Sequence, residues 1–184
     1  TLDPRAGSTM GRIYRVVRDD HPPRPRAALH KRVGADLAAA LDSPNGTQRD
    51  IVQQQIQWTL DKAAIPGLQA LATSDKRPEI RVQALATLAN LDGLSAKILM
   101  TLLSDTDEHI RRYAVEYSEK SIAESPELVT ALQGLATDSS ATVRLQLAYT
   151  VGAFQPSDAA ITLATLLAKN ESDPHLMSAA QSSL

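Results

Sequence analysis

A short motif built around one arginine recurs along this chain at a nearly constant interval. The arginines of the four copies are Arg49, Arg81, Arg111 and Arg144. They lie 32, 30 and 33 residues apart, and each opens a segment with helical spacing of its apolar residues. A fifth copy follows 33 residues later, with Met177 in place of arginine. A period of about 30 residues is typical of stacked supersecondary units, none of which buries its apolar face alone. Such a stack generally binds a partner and seldom carries out chemistry.

The composition favours helices and excludes several classes of function. Apolar residues make up 43% of the chain but aromatics only 3%, which is typical of helices rich in alanine and leucine and not of a β-sandwich. The formal net charge of -2 provides no positive field for nucleic acid, so we expect no nucleic-acid partner. Without cysteine the chain has no disulfide, no thiolate metal site and no CxxCH haem attachment. No apolar run is long enough to predict a membrane span.

Two regions of different character divide the chain. Residues 11–18 alternate polar and apolar side chains, which predicts a strand, and residues 19–25 are proline-rich, which predicts an extended linker. We therefore assign 1–25 to an extended arm and 26–184 to a helical-repeat domain. Because the chain begins with Thr1 and ends inside a helical pattern, we interpret it as a piece of a longer protein.

Start signals and apolar stripes predict the individual helices. An apolar stripe over Leu29, Val33, Leu37 and Leu41 predicts the first helix, and Thr47 with Asp50 resembles a capping box for the second. Further starts are predicted at Pro66, Pro78, Ser95, Asp107, Pro126, Ser140, Ser157 and Pro174. In the helix that starts at Ser157, Ile161 is expected to face inward. The helices thus form pairs, and the second helix of each pair carries the repeated arginine.

The turns that precede the repeated arginines resemble those of a known repeat family. Residues 104–111 and 137–144, each followed by a helix rich in alanine and leucine, resemble short HEAT repeats of the bacterial kind. The resemblance covers residues 27–184. It implies an all-α chain that forms a right-handed α-α superhelix of about five helical pairs, preceded by the short extended arm.

A narrower resemblance concerns the arm and the first unit. Residues 11–16 resemble the closing strand of a sugar-dehydrogenase-like β-propeller, and residues 41–50 resemble the HEAT unit that follows such a propeller in planctomycete-type putative membrane-bound dehydrogenases. This resemblance implies a parent redox protein that ends in a haem domain, in which the present chain is a rigid connector. It also implies a periplasmic or cell-envelope location. Thr47 stands where that family has an aromatic residue.

The repeated arginines allow two interpretations. As a ladder of cations they could hold phosphates or carboxylates of a ligand. As structural residues they would pair with the inter-helix turns, because an acidic or hydroxyl residue stands six positions before each arginine: Ser43, Asp75, Asp105 and Asp138. Arginine makes several charge-assisted hydrogen bonds at once, and a repeated site lets every unit use the same bond. We favour the structural interpretation.

Helical phase identifies the side chains most suited to contact a partner. On the second helices these are Gln53, Gln83, Arg112, Glu116 and Gln146. Tyr113 and Tyr117, four residues apart, either line a groove or fill gaps between units. The basic residues of the arm and the first helix could contact nucleic acid or an acidic surface, although a solvated linker is favoured. They are Arg15, Arg18, Arg24, Arg26, Lys31 and Arg32.

The sequence contains no recognisable catalytic, cofactor-binding or metal-binding motif. His21, His30, His109 and His175 lie in separate units, and no pair has the spacing of a helical metal site. No nucleophile elbow or phosphate-binding loop is present. We therefore predict a non-catalytic scaffold or protein-interaction module without cofactor. Its partner would be an unidentified protein or an adjacent domain of the parent chain. The alternative is the connector role within a dehydrogenase-like protein.

Overall fold

The chain is all-helical in the part that the structure describes. The computed structural model describes residues 16, 18–20, 28–74, 76–170 and 173–183, and no strand occurs among them. Most of the predicted strand over 11–18 and most of the linker over 19–25 lie outside these ranges. Where the arm is described, Asp19 and Asp20 form a turn, and the Arg18 guanidinium pairs with the Asp20 carboxylate.

Ten α-helices and five short 3-10 segments occur within the described ranges. The α-helices are α1 Gly34–Ala39, α2 Gly46–Thr59, α3 Ile65–Ala72, α4 Pro78–Asn90, α5 Ala96–Leu103, α6 Glu108–Ser118, α7 Pro126–Gly134, α8 Ala141–Thr150, α9 Pro156–Lys169 and α10 Pro174–Ser182. The 3-10 segments are Leu29–Lys31, Lys62–Ala64, Glu119–Glu124, Leu135–Thr137 and Val151–Ala153. None of these helices is both long enough and apolar enough to span a membrane.

Local chemistry explains most of the helix starts. Asp107 and Asp173 each accept hydrogen bonds from two backbone N–H groups of the following turn, which satisfies donors that have no partner inside the helix. Ser95 does the same for the N–H of Ile98. Proline occupies a first-turn position of α3, α4, α7, α9 and α10, where its missing N–H removes no helical bond. Each of these helix starts lies within a residue of the start predicted from the sequence.

Three local predictions are wrong. The first helix is only six residues long, because Gly34 has a positive φ of 55° and Val33 is extended, so Val33 is exposed and does not share the stripe of Leu37 and Leu41. The cap of α2 is Asn45, whose side chain accepts from the Gln48 N–H, so no Thr47 capping box forms. Ile161 is 61% exposed.

The ten helices pack in chain order around one continuous apolar core. Each second helix lies against the next one, from α2 through α4, α6 and α8 to α10, while α1 lies on α3 and α5 lies on α7. Within the pairs, α3 packs on α4 and α5 packs on α6. Fully buried leucines run through the whole cluster, from Leu37 in α1 to Leu176 in α10. Each such side chain contributes roughly 1.5–3 kcal/mol relative to an exposed one, so the packing between units stabilises the fold.

Candidate functional site

The repeated arginine lies in the first turn of α2, α4, α6 and α8, and at Arg81 and Arg111 it connects two successive units. Arg111 shows the arrangement in full. Its Nη1 donates to the backbone oxygens of Asp105 at 2.8 Å and Thr106 at 3.1 Å, in the turn of its own unit. Its Nε and Nη2 donate to the two carboxylate oxygens of Asp138 in the next turn, both at 2.8 Å. One guanidinium therefore connects the third pair of helices to the fourth.

Arg81 makes the equivalent connection one unit earlier. Its Nε donates to the Ala72 oxygen at 3.1 Å, and its Nη1 and Nη2 both donate to the carboxylate of Asp105. The Arg81 side chain is 9% exposed and that of Asp105 is 15% exposed. Asp105 also accepts from the Asp107 N–H at 2.9 Å, just as Asp138 accepts from the Ser140 N–H at 2.8 Å. Each aspartate thus shapes its own turn while it binds the preceding arginine.

The surroundings of these aspartates favour their ionised form. Burial alone would raise the pKa of Asp105, but the hydrogen bonds from Arg81 and the Asp107 N–H, with the charges of Arg81 and Arg111, lower its pKa below the ordinary value. The pKa of Asp138 is lowered in the same way, against the effect of burial, by Arg111, the Ser140 N–H and the charge of Arg144. The hydrogen bond to Asp138 raises the pKa of Arg111. These ion pairs are therefore fully charged at neutral pH.

The first and last arginines of the series have different partners. Arg49 donates to the Ser43 oxygen at 2.9 Å and to Gln83 Oε1 at 3.1 Å. Asp75, the expected carboxylate at this junction, lies outside the described residues. Arg144 Nη1 donates to the backbone oxygens of Asp138 at 2.6 Å and Ser139 at 3.2 Å. Its Nε is buried, and no described residue accepts from it.

We define the second-helix face by the five side chains predicted to contact a partner: Gln53, Gln83, Arg112, Glu116 and Gln146. All five are half-buried, and most of them bond to one another across neighbouring helices. On α2 and α4, Gln83 Nε2 donates to Asp50 Oδ1 at 2.9 Å and to Gln53 Oε1 at 3.0 Å. Because Gln83 Oε1 also accepts from Arg49, this amide connects the face to the arginine series.

Arg112 is the centre of the same face on α6 and α8. Its Nη1 donates to Gln146 Oε1 at 3.2 Å and lies 3.8 Å from a carboxylate oxygen of Glu116. Its guanidinium carbon stands 4.2 Å from the centroid of the Tyr113 ring, which stacks on Tyr117 with 6.1 Å between centroids. These contacts place a charged group beside two half-buried aromatic rings.

A shallow depression of about 370 Å³ lies beside Arg112 and Gln146, between α6 and α8. His109 and Thr142 lie at its edge, and Leu145 contributes apolar surface. Tyr149, also on its wall, is 52% exposed. A half-exposed tyrosine beside an arginine is a combination enriched where proteins bind other proteins.

The described residues contain no group of histidine and carboxylate side chains placed to hold a metal ion. His30, His109 and His175 lie at separate surface positions, while His21 lies outside the described residues. The spacing of the repeats identified the arginines and two of their carboxylate partners. The bonds of Gln83 and the depression beside Tyr149 were missed, because both depend on how closely neighbouring helices approach.

No protein-family model matches the chain, and no curated protein matches it.

Proposed function

We propose that this chain is a helical-repeat scaffold that binds another protein, or an adjacent domain of its parent chain, through the second-helix face. The observation that carries the proposal is the repeated connection between units, in which Arg81 binds Asp105 and Arg111 binds Asp138. A bond that recurs in register at successive junctions is what a stack of equivalent units requires. The polar groups that it uses are bonded to one another and are not free for chemistry.

The proposed architecture is a right-handed, HEAT-like α-α superhelix of five helical pairs. The chain-order packing of α2, α4, α6, α8 and α10 supports it, and among the described residues the stronger helix contacts include none that closes the first pair on the last. In such a stack one layer of helices offers an extended surface. The second helices would form that layer here, with Arg112 and Tyr149 beside the same surface depression.

Affinity capture with matched variants tests this function. The full chain is immobilised as wild type, as a face variant with Gln83→Ala, Arg112→Ala and Gln146→Ala, and as a control variant with the exposed changes Lys97→Ala, Thr101→Ala and Thr130→Ala. Both variants lose one positive charge and two neutral polar groups. We expect at least one protein to be retained by the wild type and the control variant and to be lost from the face variant.

Circular dichroism and thermal unfolding must first show that both variants fold. If folded face and control variants retain the same proteins in the same amounts, the second-helix face is not the binding surface. The proposal would then be wrong in its central claim.

A further inference from the structure

A groove of about 570 Å³ opens between the C-terminal ends of α4 and α6. It lies at one end of the second helices, and it shares only Glu116 with the second-helix face. Its walls come from the turn after α4 and from the 3-10 segment Glu119–Glu124 that follows α6. Its volume suits one or two long side chains of a partner rather than a whole helix.

The walls of the groove are strongly acidic. They carry four carboxylates and one ammonium group: Asp92, Glu116, Glu119, Glu124 and Lys120. The Lys120 ammonium lies 3.7 Å from Asp92 and offsets one of these four negative charges, so three remain in excess. The partial negative charge at helix C-termini disfavours carboxylates there. The acidic side chains next to the ends of α4 and α6 therefore do not serve the stability of those helices.

The inner surface of the groove is apolar and aromatic. Ala89, Leu94 and the half-buried ring of Tyr117 contribute to it. Burial, with the nearby Glu116 carboxylate, raises the pKa of Tyr117, so the phenol stays neutral. Lysine and arginine side chains lay their methylene stems on such a surface while the charged head reaches carboxylates or the face of an aromatic ring. The lining thus complements both parts of a long cationic side chain.

The carboxylates are distributed around the groove and do not converge on one point. Among the described residues no three histidine or acidic side chains are placed to share a metal ion. Glu119 is partly engaged, because it accepts from Thr150 Oγ1 at 2.8 Å, and Glu116 lies near Arg112. Separated charges of this kind fit an extended ligand with several positive groups better than they fit a single ion.

We propose that this groove binds an arginine- or lysine-containing segment of the partner protein, with one cationic side chain laid over Tyr117. The inference rests on the proposed function, because the ligand is taken to be a segment of the protein that this chain binds. To that function it adds a specific site on the chain and a positive charge on the bound segment. The segment would run along the C-terminal ends of α4 and α6.

Titration with a defined peptide tests the proposal. The probe is a fluorescein-labelled peptide of four glycine-arginine repeats, and the same peptide with glutamine for arginine is the control. The full chain is compared as wild type, as Asp92→Asn with Glu124→Gln, and as Asp36→Asn with Glu79→Gln. The last pair changes the same residue types in the first turns of α1 and α4, and Glu79 lies at the opposite end of α4 from the groove.

We expect saturable binding of the arginine peptide at low salt and none of the glutamine peptide. The groove variant should bind about fivefold more weakly, while the control variant keeps the wild-type affinity. Amide shifts in two-dimensional NMR spectra should concentrate in residues 89–94 and 116–124. Equal affinities of the two variants, or no saturable binding by the wild type, would overturn the proposal. Shifts on α6 and α8 around Arg112 without shifts in the groove would overturn it too, yet they would leave the second-helix face as a binding surface.

Discussion

Asp105 and Asp138 each serve two neighbouring units through different atoms. The carboxylate of Asp105 binds Arg81 of the preceding unit, while its backbone oxygen accepts from Arg111 of its own unit. Asp138 repeats this arrangement with Arg111 and Arg144. Because each of these two turns is held by two arginines, a change at one junction affects the position of the next. The arginines and aspartates therefore act as one linked series rather than as independent ion pairs.

Replacing Asp105 by asparagine should lower stability in a pH-dependent way. Asparagine keeps an acceptor for Arg81 but removes the negative charge, and we expect a loss of about 2 kcal/mol at pH 7. The pKa of Asp105 is lowered in the folded state, so its stabilising effect is complete above its unfolded pKa and is lost as the pH falls through its folded pKa. Urea unfolding should therefore show the wild type and the variant converging below about pH 4.

Asp42→Asn is the matched control for that experiment. Asp42 pairs with Lys76 at 2.9 Å, but the two side chains are 38% and 48% exposed. An exposed pair of this kind contributes at most about 1 kcal/mol, and salt weakens it. A pH-independent loss in Asp105→Asn, or equal losses in the two variants, would show that the charge of Asp105 is not what stabilises the junction.

Methionine substitution should separate the central arginine from the last one. Arg111→Met leaves the Asp138 carboxylate, whose side chain is 7% exposed, without its ion-pair partner, and we expect a loss of about 3 kcal/mol. Arg144 bonds only backbone oxygens among the described residues, so Arg144→Met should cost about 1 kcal/mol. Chemical denaturation measures both. Losses of equal size would contradict a role for the carboxylate.

At the scale of the helices, close approach decides where small residues are required. Gly67 of α3 faces α1, and a Cβ built at Gly67 would lie 2.9 Å from the Cβ of Ala38. Ala38 is fully buried and cannot move aside without shifting α1. Gly134 at the end of α7 has nothing within 4 Å of the same position. The two glycines therefore serve different purposes in helices of similar length.

Gly67→Ala should destabilise the chain, whereas Gly134→Ala should not. The gain in helix propensity is common to both, up to about 1 kcal/mol, but at Gly67 the clash with Ala38 costs about 1–3 kcal/mol and outweighs that gain. At Gly134 only the gain remains. Thermal unfolding of the two variants beside the wild type checks the difference in sign. A stabilised Gly67→Ala variant would mean that α1 and α3 are less tightly packed than the structure shows.

Sequence patterns predicted the elements that local chemistry determines. The helix starts at Pro78, Asp107 and Pro174 follow from capping and proline geometry, which need only a few adjacent residues. The short first helix was missed, because apolar spacing gives no sign that Gly34 adopts a left-handed conformation beside Ala63. The orientation of Ile161 was also missed, because which face of α9 is buried depends on where its neighbours lie and not on its own sequence.

The candidate site likewise has one part that the sequence predicted and one part that it did not. The period of about 30 residues is a property of the sequence, so it identified the arginines and the acidic turn positions together. The groove beside Tyr117 is formed by the ends of two helices from different units and by the 3-10 segment Glu119–Glu124. No local sequence pattern predicts that these three elements lie next to one another. The acidic residues around it are unremarkable in sequence and become a cluster only after the helices have packed.

For the whole molecule, packing in chain order has a consequence for cooperativity. The inner helices α4, α6 and α8 have second-helix neighbours on both sides, whereas α2 and α10 have one each. Both ends of the series also expose large apolar side chains, with Trp58 at 81% on α2 and Ile161 at 61% on α9. In a stack of units that contact only their neighbours, the terminal units lose fewer contacts when they open.

Hydrogen exchange should therefore be graded along the chain. We expect the amides of α1, α2, α9 and α10 to exchange first and those of α4, α6 and α8 to exchange last, when native-state exchange is followed by mass spectrometry. Arg111→Met should raise exchange most in α6 and α8, since it removes the bond between the third and fourth pairs. Arg144→Met serves as the control, with a smaller rise. A single cooperative core would instead release all ten helices at one rate, and that result would contradict the stacked architecture from which the proposed binding face follows.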